Sequence, residues 1–395
     1  MKHIVSIMLV GAALTACGSS ANLGQLGNTG GDTLSSGGTA ASSPAATGGL
    51  NSTPNACAAT EGNLPCDILE RACQACVAAH STVRLLRTAY AGPLYQVCKG
   101  TSVAGPNSCQ GTTQDIGAVD GYADAAAQDA FCADTSSCVI TKIYDQSGQG
   151  NDLEPSPPGG AKRTPGNPVR AADLKLTING HSAYALRFVP GMGYRKLVGN
   201  GTAKGDEPET IYMVASGTKD LVNGCCFDYG NAETTANDDG NGKVEAVYLG
   251  QGVVWGSGTG DPPWVMADLE NGLYPGWENP NGWDSISTNT TVKFDFVTGV
   301  VVGDTADKNG GKGRFAIYGG DATSGTLKTM YDGIRPEKPG YVPMEKQGSV
   351  ILSIAGDNSD GDGGRFFEGA IANGAATKAT VDALQASVVA AGYGK

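Results

Sequence analysis

A chain of 395 residues with 60 glycines and only 17% charged residues exceeds any peptide-sized scaffold, and its glycine excess over the usual ~7% indicates many turns and little long helix. Its 39 acidic and 27 basic residues leave a net charge of −12, which repels nucleic acid and anionic membrane surfaces and leaves neutral polymers such as polysaccharides as partners. The three histidines, His3, His80 and His181, are too few for a multi-histidine metal centre or a histidine-based triad, so no metal and no cofactor are expected.

The chain begins MKHIVSIMLVGAALTACGSS, with one Lys, an apolar run from Ile4 to Leu14 and then small residues. The run is shorter than the ~20 residues a membrane span needs and reads as an export signal over residues 1–17. Leu14-Thr15-Ala16-Cys17 resembles a bacterial lipobox, which makes Cys17 the expected lipidated residue; ordinary cleavage near Ala16 is the alternative. Residues 18–55 carry a single charge, Asp32, among Gly, Ser, Thr, Ala and Asn. They read as a flexible tether with a reach on the order of 35 Å. The expected location is a cell-envelope lipoprotein or the extracellular space.

Residues 56–395 read as one folded domain. Of the 11 cysteines, ten follow Cys17, and an even number in an exported chain implies disulfides. Val77 to Tyr90 is a helix candidate. Short apolar or alternating runs then recur between Gly, Asn and Asp clusters: 138–144, 183–189, 210–215, 244–249, 292–302, 314–318 and 350–354. They read as strands of an all-β sandwich with few short helices. The last segment is a second helix candidate, with Val381, Leu384 and Val388 at helical spacing and Gly392 as its stop.

Three stretches bear on chemistry. In NGCCFDYGNAE, Cys225 and Cys226 are adjacent. A bond between them closes too short a loop to staple the fold, about 1 kcal/mol by chain entropy, so such a bond would point to a functional site; pairing of each with a distant cysteine remains open. In WVMADLE, strand alternation sends Val265, Ala267 and Leu269 to one face and Met266, Asp268 and Glu270 to the other. In the run from Val350 to Asp357, the same rule groups Val350, Leu352 and Ile354 against Ile351, Ser353, Ala355 and Asp357. Carboxylates on the open face of a sandwich suit glycoside hydrolysis, which needs one acid for the leaving oxygen and a second to attack or to activate water. The bland alternative is that Glu270 and Asp357, each followed by Asn, cap turns. Asn358, Asp360, Asp362 and Gly363 match the opening of a calcium loop, but the twelfth position is Gly369 and the acid comes one place early at Glu368, which favours a Gly- and Asp-rich turn.

The motifs AAHSTVRLLRTAYAGPLYQV, AAAQDAFCA, IYDQSGQGNDL, GDEPE, CCFDYGNAE, VWGSGTG, WVMADLENGLY and AGDNSDG, in this order from about Cys66 to the C-terminal helix, resemble the catalytic domain of the family 54 α-L-arabinofuranosidases. The resemblance implies a β-sandwich of the concanavalin or jelly-roll kind and a retaining mechanism, with Glu270 as nucleophile and Asp357 as general acid/base. It implies a disulfide between Cys225 and Cys226 that packs on the bound sugar, a nearby Trp255, and sugar contacts from Asp268, Asn271 and Gly356. It further implies the pairs Cys66–Cys76 and Cys132–Cys138, while Cys57–Cys73 and Cys98–Cys109 are the pairing inferred for the four additional cysteines. Many members carry a C-terminal arabinose-binding trefoil, which is not expected here. The expected partner is an arabinan- or arabinoxylan-type polysaccharide or oligosaccharide, acted on by a monomer that meets the membrane only through its lipid anchor. A sandwich that binds sugar without catalysis, and a glycosidase acting on xylosides or galactofuranosides, are the rival readings.

Overall fold

The computed structural model describes residues 57, 61–134, 137–253, 255–276 and 287–395. The export signal, Cys17 and the tether lie outside these residues. Two seven-stranded antiparallel sheets face each other. The first runs Cys76–Ser81, Gly364–Asn373, Glu209–Ala215, Val297–Asp304, Arg314–Asp321, Lys328–Gly333, with Leu186–Phe188 also paired to Gly364–Asn373. The second runs Leu273–Tyr274, Trp264–Asp268, Glu245–Gly250, Asp228–Ala232, Ser349–Leu352, Tyr194–Lys196, Glu154–Pro155. The all-β sandwich expected from the sequence is the architecture observed.

Period-two alternation assigns each face. In Glu209–Ala215, Ile211, Met213 and Ala215 enter the core between the sheets with Val247, Leu249, Val265 and Leu352. Tyr212 and Val214 point the other way and pack with Val381, Val388 and Ala391 of the C-terminal helix. That helix spans Lys378–Ala391, starts at a Thr377 cap that accepts from the Thr380 N–H, and stops at Gly392 with φ 79°, a left-handed turn that glycine adopts at little cost. One sheet is thus covered on both faces, and the outer face of the second is left to build a site.

Two expectations are corrected. Val77 to Tyr90 is not a helix: Cys76–Ser81 is a strand, buried along its whole length. Val77, Ala78, Val83 and Leu86 are all buried at spacings that imitate a helical stripe. The Ser81 hydroxyl ends the strand by accepting from the N–H groups of Val83 (3.1 Å) and Arg84 (3.2 Å), which offers the backbone a turn in place of a helix. The strand expected over 292–302 begins only at Val297.

Inside the sandwich sits a buried charged triad that ties the sheets together. Lys346 Nζ lies 3.1 Å from Glu209 of the first sheet and 2.5 Å from Glu245 of the second, with all three side chains out of solvent. Removing the cation leaves two buried carboxylates uncompensated. Lys346→Met is expected to lower the unfolding free energy by about 3–5 kcal/mol, read as a fall in the urea midpoint. Lys312→Met, which breaks an exposed pair with Glu337, is expected to cost under about 1 kcal/mol.

Candidate active site

The strand Trp264–Asp268 ends in a turn where Glu270 and Asn271 take φ of 66° and 55°. A left-handed conformation costs a non-glycine residue roughly 1–2 kcal/mol. Here it is met by hydrogen bonds of about 1 kcal/mol each. The Glu270 N–H donates to Asp268 Oδ1 (2.8 Å), the Tyr341 hydroxyl donates to the Glu270 carbonyl, and the Tyr274 hydroxyl donates to that of Tyr341 (2.7 Å). Alternation is therefore right for Val265 and Ala267, which face the inter-sheet core, and for Met266, which faces outward. Glu270 lines the same outer pocket as Asp268, but through this turn and not through a continued strand.

A second turn follows Ser349–Leu352. Ser353 has φ 58°, which reverses the alternation, so Ile354 packs with Ile351 on the outer side and not with Val350 and Leu352. The loop beyond it is clamped by Arg195, whose guanidinium is buried. Nη1 donates to the Gly356 carbonyl (2.7 Å) and to Asn358 Oδ1 (2.6 Å), Nη2 to the Glu233 carbonyl, and Nε to the Ser349 hydroxyl (3.1 Å). Gly356 is required by space: a Cβ there would stand 1.9 Å from Glu233 Oε2. Asp357, between the two clamped residues, reaches the pocket.

The structure joins Cys225 to Cys226, across a cis peptide bond. Cys226 is buried in a small apolar cluster with Tyr248, Trp264, Met266, Leu273 and Ala355, and Cys225 packs against it. The Cys225 carbonyl accepts from the Gly361 N–H (3.0 Å), so the sulfur pair and the Asp357 loop are held to each other. The remaining bonds are Cys57–Cys73, Cys66–Cys76, Cys98–Cys109 and Cys132–Cys138.

Cys225, Cys226, Trp255, Asp268, Glu270, Asn271 and Asp357 line one open pocket of about 460 Å³, and Asp238 joins them. Gly356 lies beneath this wall rather than in it. Trp255 is 38% exposed at the pocket's edge, while Glu270 is 7% and Asp268 4% exposed. The sequence did not single out Arg195, Tyr341, Asp228, Glu233 or Asp238. Asp228 and Glu233 belong to the CCFDYGNAE stretch, whereas Arg195 sits in a three-residue strand with no pattern to mark it.

The electrostatics follow from crowding acids where water is scarce. Burial first, then the charges of Asp268, Glu233, Asp238 and Asp357, pushes the Glu270 carboxyl up to about 11. Burial raises Asp268 to about 6 and Glu233 to about 7. Asp228 is raised well above the usual range by burial and then by Asp268, with which it shares a hydrogen bond. Burial also lowers Arg195 to about 10, against the pull of Glu233, Asp357 and Glu270. Such an arrangement can hold protons at neutral pH and place a carboxyl group against a sugar.

Two clusters among the described residues have the density of a cation site. In one, Cys225 and Cys226 are bonded to each other and offer no thiolate to a metal beside Asp268. In the other, oxygens of Glu233, Asp238 and Glu270 lie within 4.8 Å of one another. The calcium-like stretch is not a cage. Asn358 binds Arg195 and the Pro157 carbonyl, Asp360 pairs with Lys162 at 2.9 Å, and Asp362 accepts from Tyr248 at 3.1 Å.

A family model described as "Alpha-L-arabinofuranosidase B, catalytic" matches residues 65–394. The chain is 47% identical over 335 residues to a protein named probable alpha-L-arabinofuranosidase B from Aspergillus terreus, covering 83% of this chain and 62% of that one. It is 47% identical over 334 residues to one named arabinofuranosidase/B-xylosidase from Trichoderma koningii, covering 83% and 63%. It is also similar to a crystal structure of an arabinofuranosidase complexed with arabinofuranosyl-α-1,2-xylobiose, with a TM-score of 0.76, 44% identity, and coverage of 83% of this chain and 65% of that one. The chain thus spans less than two thirds of the length of these relatives.

Two outcomes follow from the site's charges. Arg195→Met removes the clamp while keeping the length of the side chain, and is expected to lower turnover of the site's substrate by about 10²-fold and to reduce the melting temperature. Carboxyl groups whose folded-state pKa is raised stabilise the fold below their unfolded values near 4, and that stability is lost as pH rises through about 6 to 7 for Asp268 and Glu233. Buried His80, with its pKa lowered by burial, acts in the opposite sense as one group against several. The urea midpoint is therefore expected to rise as pH falls from 8 to 5; a flat or falling midpoint would show that these acids are not protonated in the folded state.

Proposed function

From the premise that the chain belongs to the α-L-arabinofuranosidase B catalytic family, we propose that it is a retaining, exo-acting α-L-arabinofuranosidase that releases terminal arabinofuranosyl units from arabinan- or arabinoxylan-type chains. The observation that carries this reading is the meeting of Glu270, Asp357 and the Cys225–Cys226 pair in one pocket of furanose size. A pocket, unlike a through-going groove, admits the end of a chain. The flat disulfide would pack on the sugar ring, and Asp268 and Asn271 would fix its hydroxyls.

In the first step Glu270 attacks the anomeric carbon as the glycosidic bond breaks, and Asp357 gives its proton to the departing oxygen. In the second, Asp357 takes a proton from water, the water attacks the same carbon, and Glu270 is released. Two displacements return the sugar in its original anomeric configuration.

The crystallised relative holds an arabinofuranosyl unit on xylobiose, which supports an arabinoxylan side chain as substrate. The name of the Trichoderma relative includes B-xylosidase activity, and xyloside cleavage is the second reading. The organisation proposed for the chain is an export signal over 1–17 with Cys17 lipidated, a tether over 18–55 and the catalytic domain over 56–395. Five disulfides support assembly in an oxidising compartment outside the cytoplasm.

The reading is tested by following an aryl α-L-arabinofuranoside by proton NMR. The α-anomer is expected as the first-formed product, and Glu270→Gln is expected to lower kcat/KM by about 10³-fold or more, equivalent to about 4 kcal/mol of transition-state stabilisation. A β-anomer as first product, or a fully active Glu270→Gln variant, would reject it. An aryl β-D-xyloside in the same assay separates the second reading.

A further inference from the structure

Glu233 follows directly on the strand Asp228–Ala232 and is 0% exposed. No amide, hydroxyl or amine of another residue reaches either of its carboxylate oxygens. An ionised carboxylate left in that state is costly. The nearest cation, Arg195, has its N–H groups on the Glu233 carbonyl, the Gly356 carbonyl, Asn358 and Ser349. What the Glu233 carboxyl does face is Glu270, with their oxygens within 4.8 Å. Its other side lies against Gly356, the residue before Asp357.

We propose that Glu233 is a positioning residue of the site, whose protonated carboxyl donates a hydrogen bond to the Glu270 carboxylate and aims the second Glu270 oxygen at the sugar. The inference rests on the assignment of Glu270 as nucleophile. Two carboxyl groups this close cannot both ionise cheaply, and one proton between them turns repulsion into a hydrogen bond. The groups that face the pair are Arg195 from the strand Tyr194–Lys196, Asp268 from the strand Trp264–Asp268, Asp238 from the loop after Glu233, and Asp357. Three of these four are acids, so a retained proton is favoured, and the upward displacement of both members agrees with it. The step balances without a further reactant. As a Glu270 oxygen forms its bond to the anomeric carbon, the leaving oxygen takes the Asp357 proton, and the pair's proton stays on Glu233, hydrogen-bonded to the new ester.

The test compares wild type with Glu233→Gln, which keeps a donor that does not titrate, and with Glu233→Leu and Glu233→Met, which keep none. The substrate is a dinitrophenyl α-L-arabinofuranoside, whose leaving group needs no proton, so that kcat/KM against pH reports the nucleophile. Glu233→Gln is expected to stay within about tenfold of wild type with its acid limb in place. The two apolar variants are expected to lose about 10²-fold, with the acid limb moved up by at least about one pH unit because the Glu270 anion has lost its donor. Circular dichroism confirms that each variant is folded. If Glu233→Gln is as slow as Glu233→Leu, the charge and not the donor matters, and the inference is overturned. An apolar variant with the wild-type acid limb overturns it as well. A wild-type enzyme that does not turn over the substrate would instead reject the proposed function.

Discussion

The guanidinium of Arg195 is the interaction on which the site depends. One buried cation joins the end of the strand that carries Glu233 to the loop that carries Asp357, through the carbonyls of Glu233 and Gly356 and the side chain of Asn358. Its charge also acts on Glu233, Asp357 and Glu270. Without it, two loops with no ladder hydrogen bonds between them would be free to part, and the acids around them would lose a compensating charge. Breaking a buried charged contact of this kind costs about 3–5 kcal/mol, more than any single apolar contact in the pocket wall supplies. The clamp leaves the guanidinium with no hydrogen bond to a carboxylate, so the pocket keeps its acids for chemistry.

The sandwich makes such a site affordable by separating two tasks. Between the sheets, alternating apolar side chains and the Lys346–Glu209–Glu245 triad hold the layers together. On the outer face of the second sheet, the same strands present Asp228, Tyr248, Met266 and Asp268, while turns at their ends bring Glu270 and Asp357 inward over them. Rigid strands set the floor and hydrogen-bonded turns set the reacting groups. That division accounts for carboxyl groups at low exposure that still open on a pocket.

Much of this was legible in the sequence, and the limits have physical causes. Period two placed Val265 and Ala267 against Met266 correctly because a regular strand runs through them. It failed at Ile354, where Ser353 turns left-handed, a conformation that no propensity for serine announces. Glu270 reached its expected pocket by a route alternation does not describe, since its backbone conformation is imposed by Asp268 and by Tyr341, which is 71 residues further on. The helix expected over 77–90 was displaced by pairing with Gly364–Asn373, a partner nearly three hundred residues away. Arg195 was invisible for the same reason: each of its partners is brought to it by tertiary contacts, and nothing in its own three-residue strand marks it.

The most direct test of the account is chemical capture of the nucleophile. The protein would be treated with an arabinofuranose-configured cyclic sulfate, digested, and the labelled peptide sequenced by mass spectrometry. The account predicts a single ester on Glu270, within the WVMADLE stretch, formed at the rate at which activity is lost. Label on Asp357 or Glu233, or loss of activity with no label on Glu270, would contradict it.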